Sequence, residues 1–128
     1  MTRTVLVVED DPIQMEIVSS LVSNHMAATV LSASTGKQAM FYIDRTAEAI
    51  SLIVCDLNMP DFDGIEVILE LARRGIKTPI VFVTGAIPAV VEVAEVLSRA
   101  HNLNVVDVLL KPTTPARLRA SLEKALAA

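Results

Sequence analysis

Five short runs rich in Val, Ile and Leu recur along the chain: TVLVVE (Thr4 to Glu9), ATVLSA (Ala28 to Ala33), SLIVCD (Ser51 to Asp56), PIVFVT (Pro79 to Thr84) and VVDVLL (Val105 to Leu110). Each reads as a strand. Longer amphipathic segments lie between them and read as helices. Asp11 followed by Pro12 has the form of an N-cap with proline at the first helical position, and Thr114 followed by Pro115 repeats that signal near the end of the chain. Strands that alternate with helices predict a parallel sheet covered on both faces through right-handed crossovers. In such a sheet, functional groups gather at the carboxyl ends of the strands.

At 128 residues the chain is expected to form one domain, residues 1–128, able to bury roughly two thirds of its unfolded surface without disulfides. Its single cysteine, Cys55, has no internal partner, and the N-terminal residues lack the pattern of a signal peptide, which points to a cytoplasmic protein. Although 52% of the residues are hydrophobic, no apolar run approaches the roughly 20 residues of a membrane span, so no membrane insertion is expected. A net charge of −4, with the basic residues scattered, argues against DNA binding.

The polar residues at the strand ends form a pattern. Glu9 and Asp10 close the first strand, Asp56 the third and Thr84 the fourth, and Lys111 follows the fifth. All fall on one edge of the predicted sheet. His25 and His101 fall at the ends of helices that run back to the opposite edge, which argues against a Ser-His-Asp or Cys-His arrangement. Two unit charges about 4 Å apart cost roughly 4 kcal/mol at an effective dielectric near 20, so three converging carboxylates require a cation. Hard oxygen ligands with open positions suit Mg²⁺. Phosphoryl transfer is then the leading chemistry, with Asp56 as nucleophile, Lys111 as the further cation and Thr84 as a hydroxyl donor.

The ordered set VLVVEDD, DLNMPDFDG, VFVTGA and LLKP resembles the receiver domain of bacterial two-component response regulators over essentially the whole chain. The resemblance implies a doubly wound (βα)5 flavodoxin-like fold with strand order 2-1-3-4-5. It implies Asp56 as phosphoacceptor, with Mg²⁺ held by Asp10, by Glu9 through water, by Asp56 and by the backbone carbonyl of Asn58. Lys111 would contact the phosphoryl group and Thr84 would bond it after transfer. Pro112 resembles a family proline preceded by a cis peptide bond. The implied partners are a histidine kinase or histidine phosphotransfer protein, met near Ile13 to Leu21 and the loop after Lys111, and a downstream effector. Such a domain is not an enzyme in the ordinary sense, since it catalyses only its own phosphorylation and dephosphorylation.

Some residues depart from the family pattern. Val108 stands three residues before Lys111, where many receivers carry Tyr or Phe, so a coupled threonine and aromatic switch is not expected in its usual form. The chain between Thr84 and Lys111 is longer than in many receivers, which predicts an extended fourth helix or following loop. On a helical wheel of AVVEVAEVLSRAH, Val90, Val93 and Leu97 share the expected core face. Val91 and Val96 fall outside it, as apolar surface or as a partner or homodimer contact. Asp11 is read as a helix cap, Cys55 and Met59 as packing residues, and Gly64 as a residue of backbone geometry. Two other functions stay open: a degenerate module that binds partners constitutively, and a Mg²⁺-dependent phosphohydrolase. The latter usually carries a second Asp where this chain has Asn58. With no output domain following Ala128, the expectation is a stand-alone shuttle or direct regulator.

Overall fold

The computed structural model describes residues 3–127. Strands β1 (Thr4–Val8), β2 (Thr29–Ala33), β3 (Ile50–Cys55), β4 (Ile80–Thr84) and β5 (Val105–Leu110) alternate with helices α1 (Pro12–Met26), α2 (Gly36–Thr46), α3 (Gly64–Arg73), α4 (Pro88–Ala100) and α5 (Pro115–Ala127). Every strand pair is parallel and the order is β2-β1-β3-β4-β5, as the resemblance implies.

The period of two along each strand divides the interior into two layers. Leu6, Val8, Ile53, Cys55, Ile80 and Phe82 face α2, α3 and α4. Val5, Val7, Leu52, Val54, Val81 and Val83 face α1 and α5 through Val18, Val22, Leu118 and Leu122. Central strands buried on both sides explain why their sequences are nearly continuous apolar runs. Met59 and Cys55 are core residues, and burial pushes the Cys55 thiol up, out of the reactive range.

Capping sets where the helices begin. Asp11 Oδ1 accepts from the Ile13 and Gln14 N–H groups, and Thr114 Oγ1 accepts from Arg117 N, so both predicted starts are found. The Lys111–Pro112 peptide is cis. Gly64 serves a different purpose from the one expected. A Cβ there would sit 3.0 Å from both the Cβ and the carbonyl oxygen of Leu57, so close packing rather than an unusual φ requires glycine.

The inward face of α4 corrects the helical-wheel reading. Leu97 packs against the core as expected, but the buried residues are Val91, at 8% exposure, Ala94 and Ser98, whereas Val93 is 44% exposed. Small residues at 94 and 98 let the helix lie close to the sheet, and that approach rather than total apolar content selects the face. Val96 lies on the solvent side as expected. Most of the chain between Thr84 and Lys111 lies in α4 and β5, and only residues 101–104 join the two.

Candidate functional site

Backbone hydrogen bonds align the strand ends before any side chain is considered. Glu9 N donates to Ala33 O at 3.0 Å, Asp56 N to Val8 O at 3.0 Å, and Lys111 N to Thr84 O at 2.9 Å. Glu9, Asp56, Thr84 and Lys111 therefore leave four neighbouring strands at one edge. The crevice opens where the order reverses around β1, the place at which doubly wound sheets bind ligands.

Lys111 is the electrostatic centre. Its Nζ donates to Glu9 Oε1 at 2.6 Å and to Asp56 Oδ2 at 2.8 Å. Both carboxylates are 4% exposed, a burial that ionised groups tolerate only when paired. Burial pushes the Glu9 carboxyl above its usual range, and the Lys111 hydrogen bond offsets part of that rise. Burial also pulls Lys111 down, but its hydrogen bonds to Asp56 and Glu9 outweigh this and hold the ammonium above the usual lysine range. The remaining Asp56 oxygen, Oδ1, accepts from Asn58 N at 2.8 Å. Each Asp56 oxygen then keeps lone-pair capacity for another contact.

Asp10 is exposed and completes the acidic group. Glu9, Asp10 and Asp56 each offer an oxygen within 4.8 Å of the other two. Three carboxylate oxygens gathered this closely are the hard donors that a small cation such as Mg²⁺ takes. Thr84 is fully buried at the end of β4. Its hydroxyl accepts from Ala86 N at 3.1 Å, which leaves its own proton as a donor. Asn58 is exposed and forms an isolated bridge with Asp63. The histidines stand apart: His25 is in the last turn of α1, 3.2 Å from Glu123, and His101 follows α4.

Comparison with known proteins decides the family: the model of the response regulator receiver domain matches residues 5–123. The chain belongs to that family.

This receiver domain is 30% identical over 121 residues to the probable C4-dicarboxylate response regulator DctR of Bacillus subtilis, covering 94% of this chain and 50% of that protein. It is 32% identical over 123 residues to the positive alginate biosynthesis regulatory protein of Pseudomonas aeruginosa, covering 94% of this chain and 46% of the relative. The chain thus spans half or less of the length of these relatives. Among solved structures, a CheY-like receiver domain protein of Methanospirillum hungatei matches with a TM-score of 0.84 at 20% identity, over 99% of this chain and 95% of the other. A response regulator of Colwellia psychrerythraea matches with a TM-score of 0.81 at 24% identity over 100% of both chains.

Two features of this receiver domain were not legible from residue spacing. Val108 lies half-buried opposite Phe82 and borders a groove of about 370 Å³ between α4 and β5, lined also by Glu95, Ser98, Arg99 and Asp107. Asp61, within the turn after Asp56, reaches α2: its carboxylate accepts from Gly36 N and Lys37 N. Only the NMPDFDG run hinted at the second, by placing an acidic residue where backbone geometry alone requires none.

Proposed function

We propose that this receiver domain is the phosphoacceptor of a two-component His-Asp phosphorelay, with Asp56 taking a phosphoryl group from a phosphohistidine donor. The observation that carries this reading is the Lys111 ammonium bridging Glu9 and Asp56, with Asp10 beside them. In the transfer, the bond from the donor imidazole nitrogen to phosphorus breaks as a bond forms from a carboxylate oxygen of Asp56. The electron pair of the broken bond stays on the nitrogen.

Each side chain has a role set by its position. Asn58 N–H and Lys111 orient the Asp56 carboxylate from its two oxygens. Lys111 offsets charge on the phosphoryl oxygens, and Thr84 donates its hydroxyl proton to the group once transferred. Glu9, Asp10, Asp56 and the Asn58 carbonyl would hold Mg²⁺, which neutralises phosphoryl charge when bound. The domain acts on its own aspartate and turns over no separate substrate.

Residues 1–128 are read as one receiver unit in the cytoplasm, the compartment in which a lone buried thiol such as Cys55 stays reduced. Among the described residues no helix is long and apolar enough to cross a membrane. The donor, a histidine kinase or histidine phosphotransfer protein, is assigned to the exposed Ile13 and Ile17 of α1 and the adjoining cleft with Leu21 and residues 111–115. A downstream effector is assigned to the α4–β5–α5 face, where exposed apolar residues of α4 also offer a homodimer contact. DNA is not among the proposed partners, given the net charge of −4.

Val108 favours a second reading, constitutive partner binding without a phosphorylation-driven switch. One experiment separates them. Beryllofluoride and Mg²⁺ are titrated into the wild type and Asp56→Asn while amide shifts are recorded, and phosphotransfer from a phosphohistidine donor is followed in parallel. Labelling lost in Asp56→Asn, with shifts spreading from Asp56 through Thr84 into α4, supports the phosphoacceptor. Unlabelled wild type, or label on another residue, overturns it.

A further inference from the structure

The loop between β3 and α3 is fastened at three aspartates. Asp56 Oδ1 accepts from Asn58 N at 2.8 Å, and Asp63 Oδ1 caps α3 by accepting from Glu66 N at 2.8 Å. These two contacts are local. Asp61 is different, because its oxygens reach residues 25 and 24 positions away: Oδ1 accepts from Gly36 N at 2.9 Å and Oδ2 from Lys37 N at 3.1 Å.

Those amides are the first two of α2 and have no helical carbonyl to bond. The third, Gln38 N, donates to the N-cap Thr35 Oγ1 at 3.0 Å. The Asp61 charge therefore lies at the positive end of the α2 dipole, filling the positions that the cap leaves open. Burial works against the carboxylate, yet the Gly36 and Lys37 N–H groups hold its pKa below the usual aspartate range. Phe62 closes the same contact, since a Cβ on Gly36 would come within 2.5 Å of its ring. Gly36, Asp61 and Phe62 together join the loop behind Asp56 to a helix on the other side of the crevice.

We infer that Asp61 is a positioning residue for the acidic site: by fastening the β3–α3 loop to the start of α2, it holds the Asn58 backbone in register with Asp56. The inference rests on the phosphoacceptor reading, in which the Asn58 N–H orients Asp56 and the Asn58 carbonyl faces the cation. Asp61 touches neither cation nor phosphoryl group. Its removal leaves every ligand chemically intact and releases the segment that carries one of them.

The test compares Asp61→Ala, Asp61→Asn and Thr35→Ala in the full chain. Thr35→Ala weakens the same end of α2 without touching the loop, so it controls for loss of helix stability. Hydrogen exchange at Gly36, Lys37 and Asn58 is measured without metal, and Mg²⁺ affinity is then measured in the presence of beryllofluoride by amide shifts. Partners bonded directly to a metal ligand commonly contribute 10–100-fold in affinity, so Asp61→Ala, acting one step further away through the loop backbone, should weaken Mg²⁺ binding severalfold and speed Asn58 exchange in the same direction. Asp61→Asn, with one acceptor oxygen left, should fall between it and the wild type. Thr35→Ala should lower the thermal midpoint while leaving Asn58 exchange and Mg²⁺ affinity at wild-type values. Unchanged Asn58 exchange in Asp61→Ala, or equal effects from Thr35→Ala, overturns the inference. A wild type that binds no Mg²⁺ removes the phosphoacceptor reading instead, while the metal-free Asn58 exchange still decides whether Asp61 holds the loop.

Discussion

Lys111 Nζ lies 2.8 Å from Asp56 Oδ2 although 55 residues separate them and a whole strand, β4, stands between β3 and β5. The side chain spans the end of β4 to place its charge between two buried carboxylates, the second being Glu9 at 2.6 Å. Lys111→Met keeps most of the stem and removes the charge. The rate of Asp56 phosphorylation by a small phosphodonor should fall about a hundredfold, the usual effect of deleting one donor to developing charge. Mg²⁺ affinity should hold or rise, because a competing cation is gone. Without metal the thermal midpoint should drop, as Glu9 and Asp56 lose their compensation, and added Mg²⁺ should restore part of it. Phosphorylation kinetics, Mg²⁺ titration and thermal melts check the three parts.

Acid should weaken the charge cluster at the C-terminal end of α3. Arg74 of the α3 cap bonds Asp44 of α2 at 2.6 Å and Glu70 of α3 at 2.8 Å, and Arg73 also pairs with Glu70 at 2.8 Å. Hydrogen bonds from Arg73 and then Arg74 hold the Glu70 carboxyl down to about 2, from an ordinary value of 4.5. A carboxyl whose pKa is depressed on folding contributes stability that is fully present above its unfolded value and is lost as pH falls through the folded one. The stability difference between wild type and Glu70→Gln should therefore be constant near neutral pH, shrink as pH falls below about 4.5, and vanish only below about 2. Urea unfolding of both proteins across that range, at low salt, measures it.

Gly64→Ala should destabilise the fold by about 1–3 kcal/mol, the range for overpacking a filled interior. The new methyl meets the Leu57 carbonyl oxygen as well as its side chain, so backbone next to Asp56 has to shift to admit it. Denaturant unfolding gives the value, and a neutral result would mean that the β3–α3 loop is softer than its contacts suggest.

Val108→Phe should be tolerated within about 1 kcal/mol, below the usual penalty for enlarging a core residue. Val108 borders the groove of about 370 Å³ between α4 and β5, so a ring has space without displacing Phe82. Thermal melts of the variant test this. A loss in the range of core overpacking would place the Val108 side chain against the filled interior instead.

The division between what was readable and what was not follows the range of the interactions. The five strands, the alternation with helices and the caps at Asp11 and Thr114 depend on residues within a few positions of one another, and all are found where spacing puts them. The strand-end residues Glu9, Asp10, Asp56, Thr84 and Lys111 could be placed on one edge because parallel topology makes every strand end there. Apolar content misjudged α4, where packing selected Val91, Ala94 and Ser98 over Val93. The rotation at which the helix meets the sheet decides such a face, and it does not appear in a helical wheel. The charge pairing of Lys111 with Glu9 and Asp56 and the hold of Asp61 on α2 were decided by the tertiary structure alone. Local sequence determined which groups reached the crevice; distances of a few ångströms between residues far apart in the chain, set only once the sheet and its helices had packed, determined which of them met.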